Sequence, residues 1–511
     1  MDAGGRRASR WGPTFLVGLL LVWSAVPVAW LWRKAMRVDG TLSGADGPFA
    51  ADQLQYLAWV RESATHFLAG NLYTIPAGDR VFVHPMAEIS GLIYRAGLDI
   101  NYTWLIWKVP AAIAIALAAY AYARRLLSGS AAPFSVAALG VFYLSPLVPL
   151  YAWVRPEDAN AVLATAGDIF SAGSLWGYLP ATLSVALMTM YLLVADRLTK
   201  NGGVRLATLA SLIGFLASWL HPWQGVVLVL ISAAVALWDR LSAGARRLII
   251  PAGAAALPVA GYFLLSRTDP SWEYGEVVNQ VARPSLGHLF ISLAPLVGVA
   301  LFGLRKPEAT FRERALLVWP VASLAAYAAL PSFPTHALQG MAIPLAVLAV
   351  RGVIGWIPKL QRTAIVSCVL VLTLPGMAYF ADWYRDFVNT TDQAHVLAAD
   401  EVRALRYIES DRSPGAVLTT ADLGAAVPAW TGRATWIGHL SWTPDFGERT
   451  TAMANLSEGN VSARSARALV EDSGARFVLL GCDHSRRADT ALERISETDR
   501  RFGCASVYEV D

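Results

Sequence analysis

Apolar runs dominate the first three quarters of the chain. They lie near 14–32, 104–123, 132–151, 178–197, 205–220, 222–238, 248–266, 286–304, 315–330, 337–357 and 363–380. Each is roughly 17–22 residues long, the length an α-helix needs to cross the hydrocarbon of a bilayer. In hydrocarbon every backbone N–H and C=O must be satisfied within the segment, so runs of this kind predict helices. The pattern changes in two places. Residues 33–103 mix polar and apolar positions without a spanning run, and so does the stretch from 381 onward. In that last stretch short patterns alternate: helices at 401–410 and 462–471, a helix or turn at 422–431, and strands at 415–420, 475–480 and 504–510. The expected fold is therefore a polytopic α-helical membrane protein of about eleven transmembrane helices. It divides into a membrane domain, 1–380, whose 33–103 segment forms a large first loop, and a small α/β domain, 381–511.

Charge sets the orientation. Arg124 and Arg125, then Arg197, Lys200 and Arg205, then Arg240, Arg246 and Arg247, then Arg305, Lys306, Arg312 and Arg314, and finally Lys359 and Arg362 occupy alternate short loops. Basic loops stay on the cytoplasmic side, so these loops and the N-terminus face the cytoplasm. An odd number of spans then puts the tail outside. Arg6, Arg7 and Arg10 before the first run resemble the start of a signal peptide. The run after them is too long and Trp-rich and lacks a small-residue exit, so an uncleaved first span is expected. Arg33, Lys34 and Arg37, just after that span, run against the charge rule; contact with lipid phosphate is the one account the sequence offers.

Composition agrees with this picture. The 511 residues are 55% hydrophobic and 16% charged, with a mean hydropathy of +0.43. A soluble domain carries about 25% charged residues. The net charge of +4 conceals an asymmetry: the stretch from Ala381 holds 14 Arg against 20 acids, and every lysine precedes it. The basic excess thus belongs to membrane loops and not to a nucleic-acid surface. Cys368 sits in an apolar run, and Cys482 and Cys504 lie at ends of expected strands. No pair has metal-ligand spacing; in an oxidising compartment Cys482 and Cys504 could be joined or free. Phosphate-cradling loops, dinucleotide fingerprints and the H-E-x-x-H zinc motif are all missing, so ATP-driven and zinc-protease chemistry have no support.

Candidate chemistry gathers on the outside loops. Asp46 and Asp52 lie in the first loop, and from Asp52 onward a helix is expected with a carboxylate at its dipole-favoured start. Asp52, Tyr56, Trp59 and Ser63 recur at i, i+4, i+7 and i+11, one face of that helix. This is an arrangement suited to general-base work on a sugar hydroxyl; the plainer reading makes Asp52 an N-cap. The other outside loops add His84; Arg155, Glu157 and Asp158; His221; Arg267 and Arg283; and His336. Arg offers a fixed fork for phosphate. Trp59, Trp153, Trp176, Trp223 and Trp272 offer flat faces for a sugar or belong to the interfacial belt. Asp422, after the end of an expected strand, and His439, after Thr435-Trp-Ile-Gly438, are candidate pocket positions in the tail; the plainer reading of each is a loop.

Taken together, Asp52-Gln-Leu-Gln-Tyr56 in the first outside loop, the eleven or so spans starting inside, and the tail motifs Ala416-Val-Leu-Thr-Thr420, Pro428-Ala-Trp-Thr-Gly-Arg433, Trp436-Ile-Gly-His439 and Gly474-Ala-Arg-Phe-Val-Leu-Leu-Gly481 resemble the bacterial C-type (GT-C) integral-membrane glycosyltransferases. The resemblance implies a polyprenyl-phosphate-linked sugar donor, a lipid, glycan or protein acceptor, and a first-loop acid as catalytic base. That acid is either Asp52 or Asp46, because the adjacent acidic pair usual in the superfamily is missing here. Tyr56, Trp59, His84, Arg155, Glu157, Asp158, His221, Arg283 and His336 are the expected donor- and acceptor-binding groups. No metal site is assigned, although Asp46, Glu157 and Asp158 could take Mg²⁺ or Mn²⁺. Location in a bacterial plasma membrane with an extracytoplasmic active site follows from the same resemblance. A physical argument runs parallel: nucleotide sugars are cytosolic, so a transferase working outside needs a donor carried in the membrane. Its phosphate leaving group departs with cation help. A flippase or transporter of a lipid intermediate, without covalent chemistry, is the competing reading; a tail that serves as a partner-binding module on a structural membrane protein is a third.

Overall fold

The computed structural model describes residues 3–127, 132–280, 283–356, 361–391 and 393–510. Lys359, one of the expected cytoplasmic cations, falls outside these residues. Among the described residues, seven helices are long and apolar enough to cross a membrane. Three shorter apolar helices, Val204–Leu220, Pro222–Trp238 and Leu286–Leu301, add to them. The helix Phe311–Ala329 coincides with the remaining expected run. The run at 132–151 is broken into Ala132–Phe142 and Leu147–Val154, because Pro146 cannot donate the backbone N–H that a continuous helix needs there.

The chain forms two compact units, each drawn from separated stretches. The first contains residues 1–25, 108–263 and 280–384, and among its described residues the regular elements are all helices. Its interior is marked by how much of each helix is buried. The spans Leu179–Asn201 and Pro334–Trp356 are 78% and 83% buried, whereas Ala243–Thr268 is 17% buried, as expected of a helix whose apolar side chains meet lipid. Small residues allow the central helices to approach closely. A Cβ added at Gly140 would sit 2.8 Å from the Ile343 Cα, and one at Gly376 would sit 2.3 Å from the Leu144 carbonyl oxygen. Buried Glu313 is paired with Arg351, which makes a two-pronged contact with it at 3.1 and 2.8 Å.

The second unit contains residues 26–107, 264–279 and 385–511. Its sheet has the strand order Val417–Leu418, Phe477–Leu480, Ala505–Glu509, Thr498–Phe502; the first pair is parallel and the others antiparallel. Phe477–Leu480 is buried at all four positions, as its unbroken apolar run requires. Cys482 and Cys504 form a disulfide. The helices Ala399–Ser410, Ala421–Thr431 and Ala463–Ser473 lie where the sequence pattern expects them. A second, two-stranded sheet, which the sequence pattern does not predict, pairs Gly40–Leu42 antiparallel with Val396–Ala398 and ties the start of the first loop to the tail. Further ties follow. His395 donates through Nε2 to the Gly47 carbonyl at 2.8 Å, the Trp430 indole donates to the Ser43 carbonyl, and Arg61 donates to the carbonyls of Ala429 and Trp430 and to Glu409. First loop and tail are one folded body.

Candidate functional site

The helix Ala50–Ser63 presents Asp52 in its first turn. Asp52 does not act as the N-cap; that position is Phe49, whose side chain makes no capping hydrogen bond. The helical face expected from the sequence is formed, and it is graded in depth. Asp52 is half exposed, Tyr56 is partly buried, and Trp59 and Ser63 are buried. Tyr56 stacks on Trp104 with ring centres 4.7 Å apart and meets Trp59 edge-on. Trp59, Phe82, Trp272 and Trp442 extend this aromatic floor, and the Trp59 indole donates to the Gly70 carbonyl. His84 lies buried beside Tyr56 and Trp59. Ser63 donates to Glu88, whose carboxyl is pushed above its ordinary range mainly by burial and is partly restrained by that bond.

Asp52 and Asp46, six residues apart, have opposite fates. Asp46 is 2% exposed, and its backbone N–H donates to the Gln53 side-chain oxygen at 2.8 Å. The Asp52 side chain is 54% exposed, and its Oδ1 lies 3.0 Å from Nε2 of His439. The tautomer of His439 follows from its other nitrogen. Nδ1 accepts the backbone N–H of Ser441 at 3.1 Å, so the ring proton resides on Nε2 and is donated to Asp52. His439 is itself buried and fixed. Its backbone N–H donates to Thr443 Oγ1, and its carbonyl accepts from Trp442 and Thr443. Tyr73 packs against the imidazole, and its phenol is held far above the ordinary range by burial, with the Asp52 charge adding to the effect.

Two glycines bring His439 into place. The segment before it runs against the helix Ala421–Thr431 so closely that a Cβ on Gly424 would sit 2.0 Å from the Ile437 carbonyl oxygen, and one on Gly438 would sit 2.6 Å from Gly424. Its place after Thr435-Trp-Ile-Gly438 makes His439 a candidate pocket residue, but nothing local in the sequence connects it to Asp52, 387 positions earlier. Asp422 is exposed in the first turn of Ala421–Thr431.

Apart from Arg267, which belongs to the second unit, the remaining candidates lie in the helical unit. Arg155 is exposed and pairs with Glu157 at 3.3 Å, Asp158 accepts from the Tyr151 phenol at 3.2 Å, and Trp153 is 84% exposed. Arg283 donates to the carbonyls of Tyr327, Ala328 and Leu330, which gives it the work of capping the end of Phe311–Ala329. Trp176 is buried, stacked on Trp23 at 4.4 Å, and so serves as core. His221 is buried between two partners. Its Nδ1 contacts the Gln224 oxygen, which can only accept, so Nε2 accepts from the Tyr178 hydroxyl at 2.8 Å. Burial, with His336 nearby, pushes this imidazole well below its usual range. His336 is enclosed by Tyr178, Trp223 and Phe333, and lies 3.8 Å from Asp168. Phe333 stacks flat on it from a left-handed backbone conformation, φ 42°, that a bulky residue rarely adopts.

For a metal, the described residues offer one close group of ligand types, Asp400, Cys482 and Cys504. Its two sulfurs are joined to each other, and Asp400 accepts the Cys504 backbone N–H, so the group does not suit a cation.

No protein-family model and no curated protein matches the sequence. Solved structures do. The archaeal oligosaccharyltransferase AglB from Archaeoglobus fulgidus, in complex with an inhibitory peptide and a dolichol-phosphate, superposes with a TM-score of 0.56 at 12% identity, covering 93% of this chain and 70% of that one. The Archaeoglobus fulgidus oligosaccharyltransferase tethered to an acceptor peptide containing the NVT sequon gives 0.54 at 12% identity, covering 93% and 69%. ArnT from Cupriavidus metallidurans bound to undecaprenyl phosphate gives 0.49 at 12% identity, covering 96% and 98%. At this identity the likeness establishes the fold, and it is the GT-C fold of a multi-pass membrane protein, as the sequence resemblance implied.

Proposed function

We propose that this GT-C-fold protein is a membrane glycosyltransferase that moves a sugar from a polyprenyl-phosphate carrier to an acceptor hydroxyl outside the cytoplasm, with Asp52 as general base. The observation that carries the reading is the exposed Asp52 carboxylate, held at one oxygen by buried His439 above an aromatic floor. With Oδ1 engaged, Oδ2 takes the acceptor proton as the acceptor oxygen bonds to the anomeric carbon. The bond from that carbon to the phosphate oxygen breaks on the opposite side, the configuration inverts, and polyprenyl phosphate leaves. Tyr56 and Trp272, both partly exposed, supply the flat apolar faces a sugar ring stacks on, with buried Trp59 packed against both. Phe49 and Leu440, which immediately flank the carboxylate helix and His439 in sequence, are 65% and 56% exposed and favour a lipid-bearing substrate. The disulfide Cys482–Cys504, in the same unit as Asp52, favours an oxidising compartment. The oligosaccharyltransferase neighbours were solved in complex with a dolichol-phosphate and tethered to a sequon peptide; for this chain the lipid phosphate class is the part that the site chemistry supports.

The test is transfer from a panel of polyprenyl-phosphate sugars by the purified protein in proteoliposomes. Asp52→Asn should lower turnover by about 10²–10⁴ while the protein stays folded. A wild-type rate in that variant overturns the assignment. Movement of the lipid-linked sugar across the bilayer with no product would point to a transporter instead.

A further inference from the structure

The three cations that run against the charge rule, Arg33, Lys34 and Arg37, meet a fourth in the folded chain. Together with Arg385, and with Trp30, Val388 and Asn389, they line a cavity of about 200 Å³. No acid is among the lining residues. Lys34 anchors one wall by donating to the Val388 carbonyl at 2.6 Å, and Arg385 also touches Asp386, which lies outside the lining, at 3.3 Å. We infer that this cavity is a binding site for the phosphodiester headgroup of an anionic membrane phospholipid, separate from the Asp52 site.

Two simpler accounts fall short. A helix end attracts cations through its dipole, and Lys34 and Arg37 are in the last turn of the helix Ala3–Arg37. The dipole does not explain why Arg385 and Asn389 are brought to the same cavity from the distant helix Gln361–Thr390. A solvated surface would spread four like charges, whereas Arg33 and Arg37, at i and i+4, are close enough to repel each other. An anion in the cavity removes that repulsion, and guanidinium groups match the two free oxygens of a phosphodiester. The surroundings select a lipid over a soluble anion. Trp32 and Met36, on the same helix end, are 52% and 66% exposed, and the indole of Trp30 reaches the cavity itself. Aromatic and apolar groups at the end of a span mark the bilayer interface, where acyl chains continue from the headgroup. The four cations therefore lie at headgroup depth.

The experiment uses the full-length protein, delipidated in detergent and offered an equimolar mixture of phosphatidylglycerol and phosphatidylcholine, with retained lipid counted by native mass spectrometry. The wild type should retain phosphatidylglycerol preferentially. Each cation near an anionic headgroup contributes about fivefold, so Arg33→Gln/Arg37→Gln/Arg385→Gln should weaken retention by about 100-fold. Equal retention of the two lipids by the wild type, or an undiminished preference in the triple variant, overturns the proposal. So does displacement of phosphatidylglycerol by millimolar inorganic phosphate or by polyglutamate, which would assign the cavity to a free phosphate or an acidic protein. Sugar transfer by the triple variant in pure phosphatidylcholine proteoliposomes should match the wild type, so failure here and failure at Asp52 are read separately.

Discussion

Two regions of this molecule are built around a buried histidine, and they put it to different use. His439, in the unit formed by the first loop and the tail, gives its ring proton to a half-exposed carboxylate. His221, in the helical unit, is closed between the Tyr178 hydroxyl and the Gln224 oxygen, with no carboxylate on either nitrogen. In both, the second nitrogen fixes the tautomer. The difference is the partner: an acceptor that reaches solvent can pass on the orientation it is given, while two internal partners only hold the fold. Side-chain type alone therefore does not mark a working histidine; the exposure of what it touches does.

The comparison can be broken at either end. The largest effect is expected at the exposed carboxylate, where Asp52→Asn should cost about 10²–10⁴ in turnover. Asp46→Asn, at the buried acid, should register first as a lower melting temperature of the protein, measured in detergent. The second effect concerns His395, which also ties the first loop to the tail and is held at about 4, mainly by burial, against an ordinary value of 6.5. Its folded value is depressed, so the unfolded chain binds the extra proton between these two values. Stability is full above pH 6.5 and is lost as pH falls toward 4, by about 3 kcal/mol. Thermal melts across that window check this, and His395→Gln should flatten the slope contributed by this residue.

The third prediction isolates positioning. His439→Ala should lower kcat by about 10–100-fold with little change in KM, because Asp52 remains but is no longer held. Recovery of part of kcat in His439→Gln, whose amide can still donate, separates orientation from mere packing. An effect confined to KM would break the assignment. The smallest change in activity is expected at His221. His221→Ala leaves the Tyr178 hydroxyl and the Gln224 oxygen without their shared partner, which should destabilise the fold by about 1–3 kcal/mol. Turnover per folded molecule should stay close to wild type. A loss of turnover as large as that of Asp52→Asn would make the two histidines equivalent and remove the distinction.

Much of the site was legible before folding was known. The face Asp52, Tyr56, Trp59 and Ser63 follows from helical spacing, and the structure forms it with the carboxylate outermost. The spacing could not rank Asp46 against Asp52 by burial, since that depends on Gln53 and on the chain returning over the loop. Nor could it reveal that Trp176 is core or that Arg283 is engaged by three carbonyls. Those outcomes depend on neighbours far away in the chain.

By itself the sequence determined the helical spans and the α/β pattern of the tail. These are local properties: an apolar run of bilayer length has only one way to satisfy its backbone, and alternation fixes which side of a strand is buried. Only tertiary structure decided that the first loop and the tail fold as one body, that Gly40–Leu42 finds Val396–Ala398, and that His439 comes to rest 3.0 Å from Asp52. Such contacts join residues several hundred positions apart. They are set by complementary surfaces, such as the two facing glycines at 424 and 438, and no periodicity along the chain encodes them.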